Sequence, residues 1–233
     1  TDPVISILSV REPGGRPIAV FASYSLHYVG GVGSGHISAD YYGYFCRDVE
    51  KRMKAEDQDP PFVAMMANGT SGDINNVNFR EPRPKKEPYE QMRAVADDVA
   101  GKVCAALEKA EYRDGVTLDA RYREPVIARR ATTPEQIAWA RKTIEERSAT
   151  APKGDLPLIY AQRVLKLSEA PAESPVPLQV LRIGDVGLAT MPCEVLCEIG
   201  LEFKQRCPLQ PAFLVSLTHG YMGYLPPPRQ HAL

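Results

Sequence analysis

Four short stretches bring histidine, amide, carboxylate and phenol groups to places where apolar runs give way to loops. Ser25-Leu26-His27-Tyr28 closes the run Ile18 to Leu26. Asn68-Gly69-Thr70-Ser71-Gly72-Asp73-Ile74-Asn75-Asn76 follows the run Phe62 to Ala67. Pro192-Cys193-Glu194 follows Val186 to Met191, and Thr218-His219-Gly220-Tyr221-Met222-Gly223-Tyr224-Leu225-Pro226 follows Phe213 to Leu217. Imidazole nitrogen, carboxylate and phenol oxygen are all donors that suit Zn²⁺. Three of them from separate strand ends, with one position left for water, would suit metal-assisted hydrolysis. In the second stretch, Gly69 and Gly72 would let backbone amides come close to a developing oxyanion. Each stretch also has a plainer reading: a histidine finishing a strand, a glycine-rich turn, a carboxylate at a helix start, packed tyrosines. Spacing alone does not choose between them.

The elements that would carry these groups alternate in type. Val4 to Val10 and Ile18 to Leu26 read as a hairpin around Glu12-Pro13-Gly14-Gly15, its second strand delivering His27. Ser38 reads as the cap of a helix running to about Ala55, with Tyr41, Phe45, Val49 and Met53 on one face. Phe62 to Ala67 reads as a central strand covered on both faces. A second helix spans about Tyr89 to Ala110. Thr133-Pro134-Glu135-Gln136 is a helix start with cap, proline and capping glutamine, and the helix with Trp139 reads as a surface element. Ala149 to Pro177 reads as an excursion from the core. Leu178 to Ile183 and Val186 to Met191 form a second hairpin, Glu194 to Arg206 a helix, and Phe213 to Leu217 a buried strand. The pattern predicts an α/β fold, a mixed β-sheet core with helices packed on its faces.

The 233 residues, 44% of them hydrophobic, suffice for a single core, and one domain over 1–233 is expected. A net charge of −1 carries no basic excess of the kind that marks nucleic-acid binding. The five cysteines include no CxxC pair, which argues against a disulfide framework or a zinc ribbon.

Taken together, the four stretches and Ile37-Ser38-Ala39-Asp40-Tyr41-Tyr42-Gly43 resemble the neutral ceramidase family, particularly its bacterial branch, and they run in family order. The resemblance implies a zinc-dependent hydrolase of amide bonds acting on a lipid amide such as N-acylsphingosine. It assigns the metal to His27, Glu194 and Tyr224, with a further histidine from an upstream motif; His36, His219 and His231 fall in other segments. It also implies a fragment of a longer catalytic domain, secretion or a periplasmic location, and peripheral membrane contact. Asn75 stands where family members carry a serine nucleophile. The candidate catalytic residues are therefore Asn75, Asp73 and Ser71, with Asp73 orienting the loop and Asn75 contacting substrate. The departure leaves two routes. Metal-activated water attacks directly, with Asn75 and loop amides facing the oxyanion, or the scaffold serves another amide or ester. A binding module without catalysis is the reading from another class.

Overall fold

The computed structural model describes residues 1–82 and 84–231. Its chain divides into two compact units, one made of Thr1–Tyr122 with Pro177–Leu233, the other of Arg123–Val176.

The first unit opens with the expected hairpin, β1 (Ser6–Arg11) and β2 (Pro17–Tyr24), paired antiparallel. The turn between them closes with Gly15 donating to the Glu12 carbonyl at 2.9 Å, at a φ of 92° that glycine adopts without strain. Helix α1 (Asp40–Arg52) then leads to β3 (Val63–Asn68), which runs parallel to β2. Helix α2 (Glu90–Leu107) packs beside α1. Both helices cover one face of this sheet, where Val20 and Ala22 are buried and Ile7, Ala64 and Met66 half-buried. Tyr41, Phe45 and Val49 of α1 and Met92, Val99 and Val103 of α2 are buried against them, as their spacing predicts. Each such large side chain contributes roughly 1.5–3 kcal/mol.

Two expectations change here. The cap of α1 is Ala39 rather than Ser38, whose hydroxyl instead accepts the Asp40 amide at 3.0 Å. Strand β3 ends the three-stranded sheet β1-β2-β3 and is covered on one side: Ala64 and Met66 meet the helices, while Val63 and Met65 alternate outward and are exposed.

Strand β4 (Leu118–Arg123) leads into the second unit. That unit holds β5 (Val126–Ala128), α3 (Pro134–Arg147), α4 (Leu156–Ser168) and β6 (Glu173–Pro175). β5 and β6 pair antiparallel, and α3 packs on α4. The capping box at Thr133 and Gln136 is present, and Trp139 is exposed. The insertion therefore begins well before the Ala149 expected from composition.

Back in the first unit come β7 (Leu178–Ile183), β8 (Val186–Thr190), β9 (Glu194–Val195) and α5 (Cys197–Arg206). They are followed by β10 (Ala212–Val215), β11 (Tyr224–Leu225) and the short α6 (Pro228–His231). A second sheet has the order β10-β8-β7-β4, with β8 and β10 parallel and β7 and β8 the expected hairpin. The buried Leu214 and Ala189 of this sheet pack with Ile199 and Phe203 of α5. The Ser216 amide donates to the Asn68 carbonyl at 3.0 Å, so the carboxyl ends of β3 and β10 lie side by side. Sheets mixed in direction with helices on their faces confirm the α/β reading. Among the described residues, no helix is long and apolar enough to cross a membrane.

Candidate active site

All four polar stretches follow the carboxyl ends of the parallel strands β2, β3, β8 and β10, the place where open α/β sheets hold ligands. Strand β2 stops at Tyr24, earlier than expected, so His27 sits on the loop after it rather than on the strand. Glu194 is not at a helix start either. It lies in β9, and α5 begins at Cys197 beyond an extended Leu196, so the helix dipole does not act on Glu194 directly.

What holds Glu194 is a pairing that sequence periodicity does not reveal. β9 runs parallel to β11 with Glu194 opposite Tyr224, and the Glu194 amide donates to the Gly223 carbonyl at 2.9 Å. The Glu194 carboxylate then meets three side chains. The Tyr221 hydroxyl donates to Oε1 at 2.9 Å. His27 Nε2 stands 3.9 Å from Oε2. The Tyr224 phenol lies near enough to the carboxylate that hydrogen-bonding interaction with Glu194, ahead of desolvation, raises its pKa above the usual phenol value. The structure thus brings His27, Glu194 and Tyr224 into one cluster. It adds Tyr221, a partner that sequence reading left without a role. The available signal was its place three residues before Tyr224 in the same glycine-spaced loop.

The imidazole is oriented as well. His27 Nδ1 lies 3.2 Å from the Tyr28 carbonyl, an acceptor only, so in neutral His27 this nitrogen carries the proton. Nε2 is then the nitrogen with a free lone pair, and it stands 3.9 Å from Glu194 Oε2. Two electron-pair donors 3.9 Å apart are compatible with a shared cation whose bonds are each about 2.0–2.2 Å. The donor set therefore fits zinc in kind. It depends on tyrosine, because no three His, Cys, Asp or Glu side chains among the described residues form a group that could hold a metal. His36 is bonded to Tyr89, and His219 lies edge-on to Tyr122. The side chain of His231 lies outside the described part of the chain.

The Asn68–Asn76 loop lies against the Glu194 strand. Gly72 donates to the Val195 carbonyl at 2.9 Å, and a Cβ there would meet the Glu194 carbonyl oxygen at 2.8 Å. Gly69 donates to the Tyr24 carbonyl at 2.9 Å. These two amides are committed to the scaffold rather than offered to an oxyanion, which corrects the expectation for both glycines. They serve close packing instead. Asp73 accepts the Cys197 amide at 2.7 Å and so caps α5. The Ile74 carbonyl accepts the His27 amide at 3.3 Å, tying the loop to the imidazole segment. Ser71 is buried and donates to Asn68 Oδ1 at 2.9 Å, so it shapes the loop and does not present a nucleophile. Asn75 is exposed beside Ile74, its side-chain oxygen accepting from Asn76 at 3.3 Å. Among the described residues, no hydrogen bond joins the Asn75 side chain to His27, Glu194 or Tyr224.

A cluster of imidazole, carboxylate and phenols beyond the carboxyl ends of parallel strands, on a mixed sheet, defines an α/β protein with its polar site where open sheets hold ligands. Comparison with solved structures places the fold. The neutral ceramidase from Pseudomonas aeruginosa aligns with a TM-score of 0.61 and 18% identity over 96% of this chain and 41% of that one. A ceramidase structure complexed with C2 aligns with a TM-score of 0.66 and 16% identity over 96% of this chain and 42% of that one. The chain thus has the fold of these ceramidases over a segment spanning less than half their length. At the level of sequence, no family model and no curated protein matches it.

Proposed function

We propose that this chain carries zinc-binding residues of a ceramidase-like hydrolase and acts on the C–N bond of a lipid amide. The observation that carries the reading is His27 Nε2 standing 3.9 Å from Glu194 Oε2, with Tyr224 paired beside Glu194 in the strand register. Likeness of fold to ceramidase structures supports the substrate class. His27, Glu194 and Tyr224 would hold the metal. Bound there, zinc supplies Lewis acidity and lowers the pKa of a water toward roughly 7. Tyr221 keeps one carboxylate oxygen occupied, so Oε2 is the oxygen turned to the imidazole. Asp73 and the His27–Ile74 backbone bond hold the loop so that Asn75 is exposed next to the cluster, where its amide can donate to a substrate carbonyl.

Asn75 at the position of the family's serine, together with the burial of Ser71, favours water over a side-chain hydroxyl as the nucleophile. The same departure supports a second reading, an esterase or amidohydrolase with a different acyl preference. The test is elemental analysis of the purified chain and of Glu194→Ala, followed by hydrolysis of N-acyl amides of short and long chain. Near-stoichiometric zinc lost in the variant, with turnover favouring long acyl chains, supports the first reading. Turnover confined to short amides or esters selects the second, and zinc retained by Glu194→Ala removes the metal assignment.

A further inference from the structure

The segment Ser38 to Gly43 matches the family pattern yet supplies no group to the cluster, and the structure shows where its side chains go. The Tyr41 hydroxyl donates to the Leu26 carbonyl at 3.0 Å, and the Tyr42 hydroxyl donates to the same carbonyl at 3.4 Å. On the other side of His27, the Asp40 carboxylate accepts the Val29 amide through Oδ1 and the Gly30 amide through Oδ2, both at 2.8 Å. Asp40 adopts a φ of 53°, unfavourable for a residue with a side chain, and its Oδ1 also accepts the Tyr41 amide at 2.7 Å. The residue before His27 and the two residues after Tyr28 are thus gripped by three consecutive residues at the start of one helix.

We infer that Asp40, Tyr41 and Tyr42 are positioning residues that clamp the loop on both sides of His27 and fix the direction of its Nε2 toward Glu194. Three features of the geometry separate this role from ordinary helix capping. The acceptor that Tyr41 and Tyr42 share belongs to the residue next to the imidazole, not to α1. Tyr41 is completely buried and Tyr42 partly so, and burial raises both phenols above their usual pKa, keeping them neutral donors. The carboxylate spends both its oxygens on loop amides across a gap of ten and eleven residues. With the His27 amide bonded to Ile74, the loop from Leu26 to Gly30 is fixed at four backbone groups. Partners that orient a metal-binding imidazole typically influence affinity about 10–100-fold.

The inference rests on the zinc reading for its consequence but not for its geometry, and the experiment separates the two. The full chain is compared with Tyr41→Phe/Tyr42→Phe, Asp40→Ala and Asp40→Asn. A control, Tyr112→Phe, removes a hydrogen bond to Ser9 elsewhere in the sheet. Zinc affinity is read by chelator competition, and the His27 imidazole is read in metal-free protein by ¹H–¹⁵N NMR. The expected result is an affinity about tenfold weaker and altered His27 resonances in the double variant and in Asp40→Ala, partial recovery in Asp40→Asn, and neither change in Tyr112→Phe at comparable loss of melting temperature. Unchanged His27 resonances in folded double variant and Asp40→Ala overturn the clamp whether or not zinc binds. If the parent chain takes no zinc, the metal reading fails, and a His27 signal disturbed by the clamp variants but not by the control still supports the clamp.

Discussion

At the residue scale the cluster is organised around one carboxylate. Glu194 gives its amide to Gly223, accepts from Tyr221, stands 3.9 Å from His27 Nε2 and raises the pKa of the neighbouring Tyr224. Removing the Tyr221 hydroxyl frees Oε1 and lets the carboxylate rotate. Tyr221→Phe should therefore weaken zinc binding by about tenfold while leaving the melting temperature within a few degrees, as measured by chelator competition and thermal denaturation. An unchanged affinity would show that the hydroxyl does not orient the carboxylate. The Tyr224 phenol offers a second check in metal-free protein. Its pKa is raised first by hydrogen bonding to the Glu194 carboxylate, because ionising the phenol places a negative charge beside that carboxylate. Glu194→Gln removes the negative charge, so the Tyr224 titration should move to lower pH. The 295 nm phenolate absorbance, taken as a difference from the matching Tyr224→Phe protein, measures it. A midpoint that stays put or rises would contradict the contact. The donor types were legible from the sequence because histidine, glutamate and tyrosine stood at strand ends. The role of Tyr221 was not, since it depends on a two-residue strand pairing that has no periodicity to read.

The elements explain why a loop of glycines and hydroxyls stands next to that carboxylate. The sequence marks Asn68 to Asn76 as a special turn, but Gly69 serves contact with the end of β2 and Gly72 contact with β9, and neither amide is left for an oxyanion. Which amides a loop leaves unbonded is decided by its neighbours, and here Gly69 and Gly72 bond to Tyr24 and Val195. A methyl group at Gly72 would press on the Glu194 carbonyl oxygen at 2.8 Å and on the backbone carbon of Val195 at 3.1 Å. Main chain cannot rotate away as a flexible side chain can. Gly72→Ala should cost about 1–3 kcal/mol in denaturant unfolding and displace Glu194. Full stability with unchanged zinc affinity would show that the loop and β9 separate freely. Asp73 adds a cap to α5 from 124 positions away in the chain. Asp73→Ala should cost about 1 kcal/mol and fray the start of that helix, visible as faster amide exchange at Cys197. The same distance explains why the sequence placed the helix start at Glu194. Its real cap comes from another loop, and local pattern carries no trace of it.

Over the whole molecule, the alternation of strands and helices made the α/β class readable, while the division into two units did not show in composition. The turn-rich stretch from Ala149 to Pro177 marks only the later part of an insertion that runs from Arg123 to Val176. The missed part holds α3, which has an ordinary capping box and charged surface and reads like any other helix. The topology says what this insertion contributes to the site. His27, the Asn68–Asn76 loop, Glu194, Tyr221 and Tyr224 all belong to the first unit, as do the clamping residues of α1. The insertion leaves from the end of β4 and returns at the start of β7, and these strands are hydrogen-bonded neighbours in one sheet. The Gly184 amide, just after β7, donates to the Thr117 carbonyl, just before β4, at 2.8 Å. The pair is therefore antiparallel, and the end of β4 lies beside the beginning of β7, close enough for a hairpin loop of a few residues to join them. Replacing residues 124–176 by a short glycine–serine linker should leave a protein that melts cooperatively, keeps its mixed α/β circular dichroism and binds zinc as the parent chain does. Loss of cooperative folding would show that the first unit needs the insertion to hold its sheet together. Retained folding with lost zinc binding would mean that the insertion supplies part of the site, against the assignment of every ligand to the first unit.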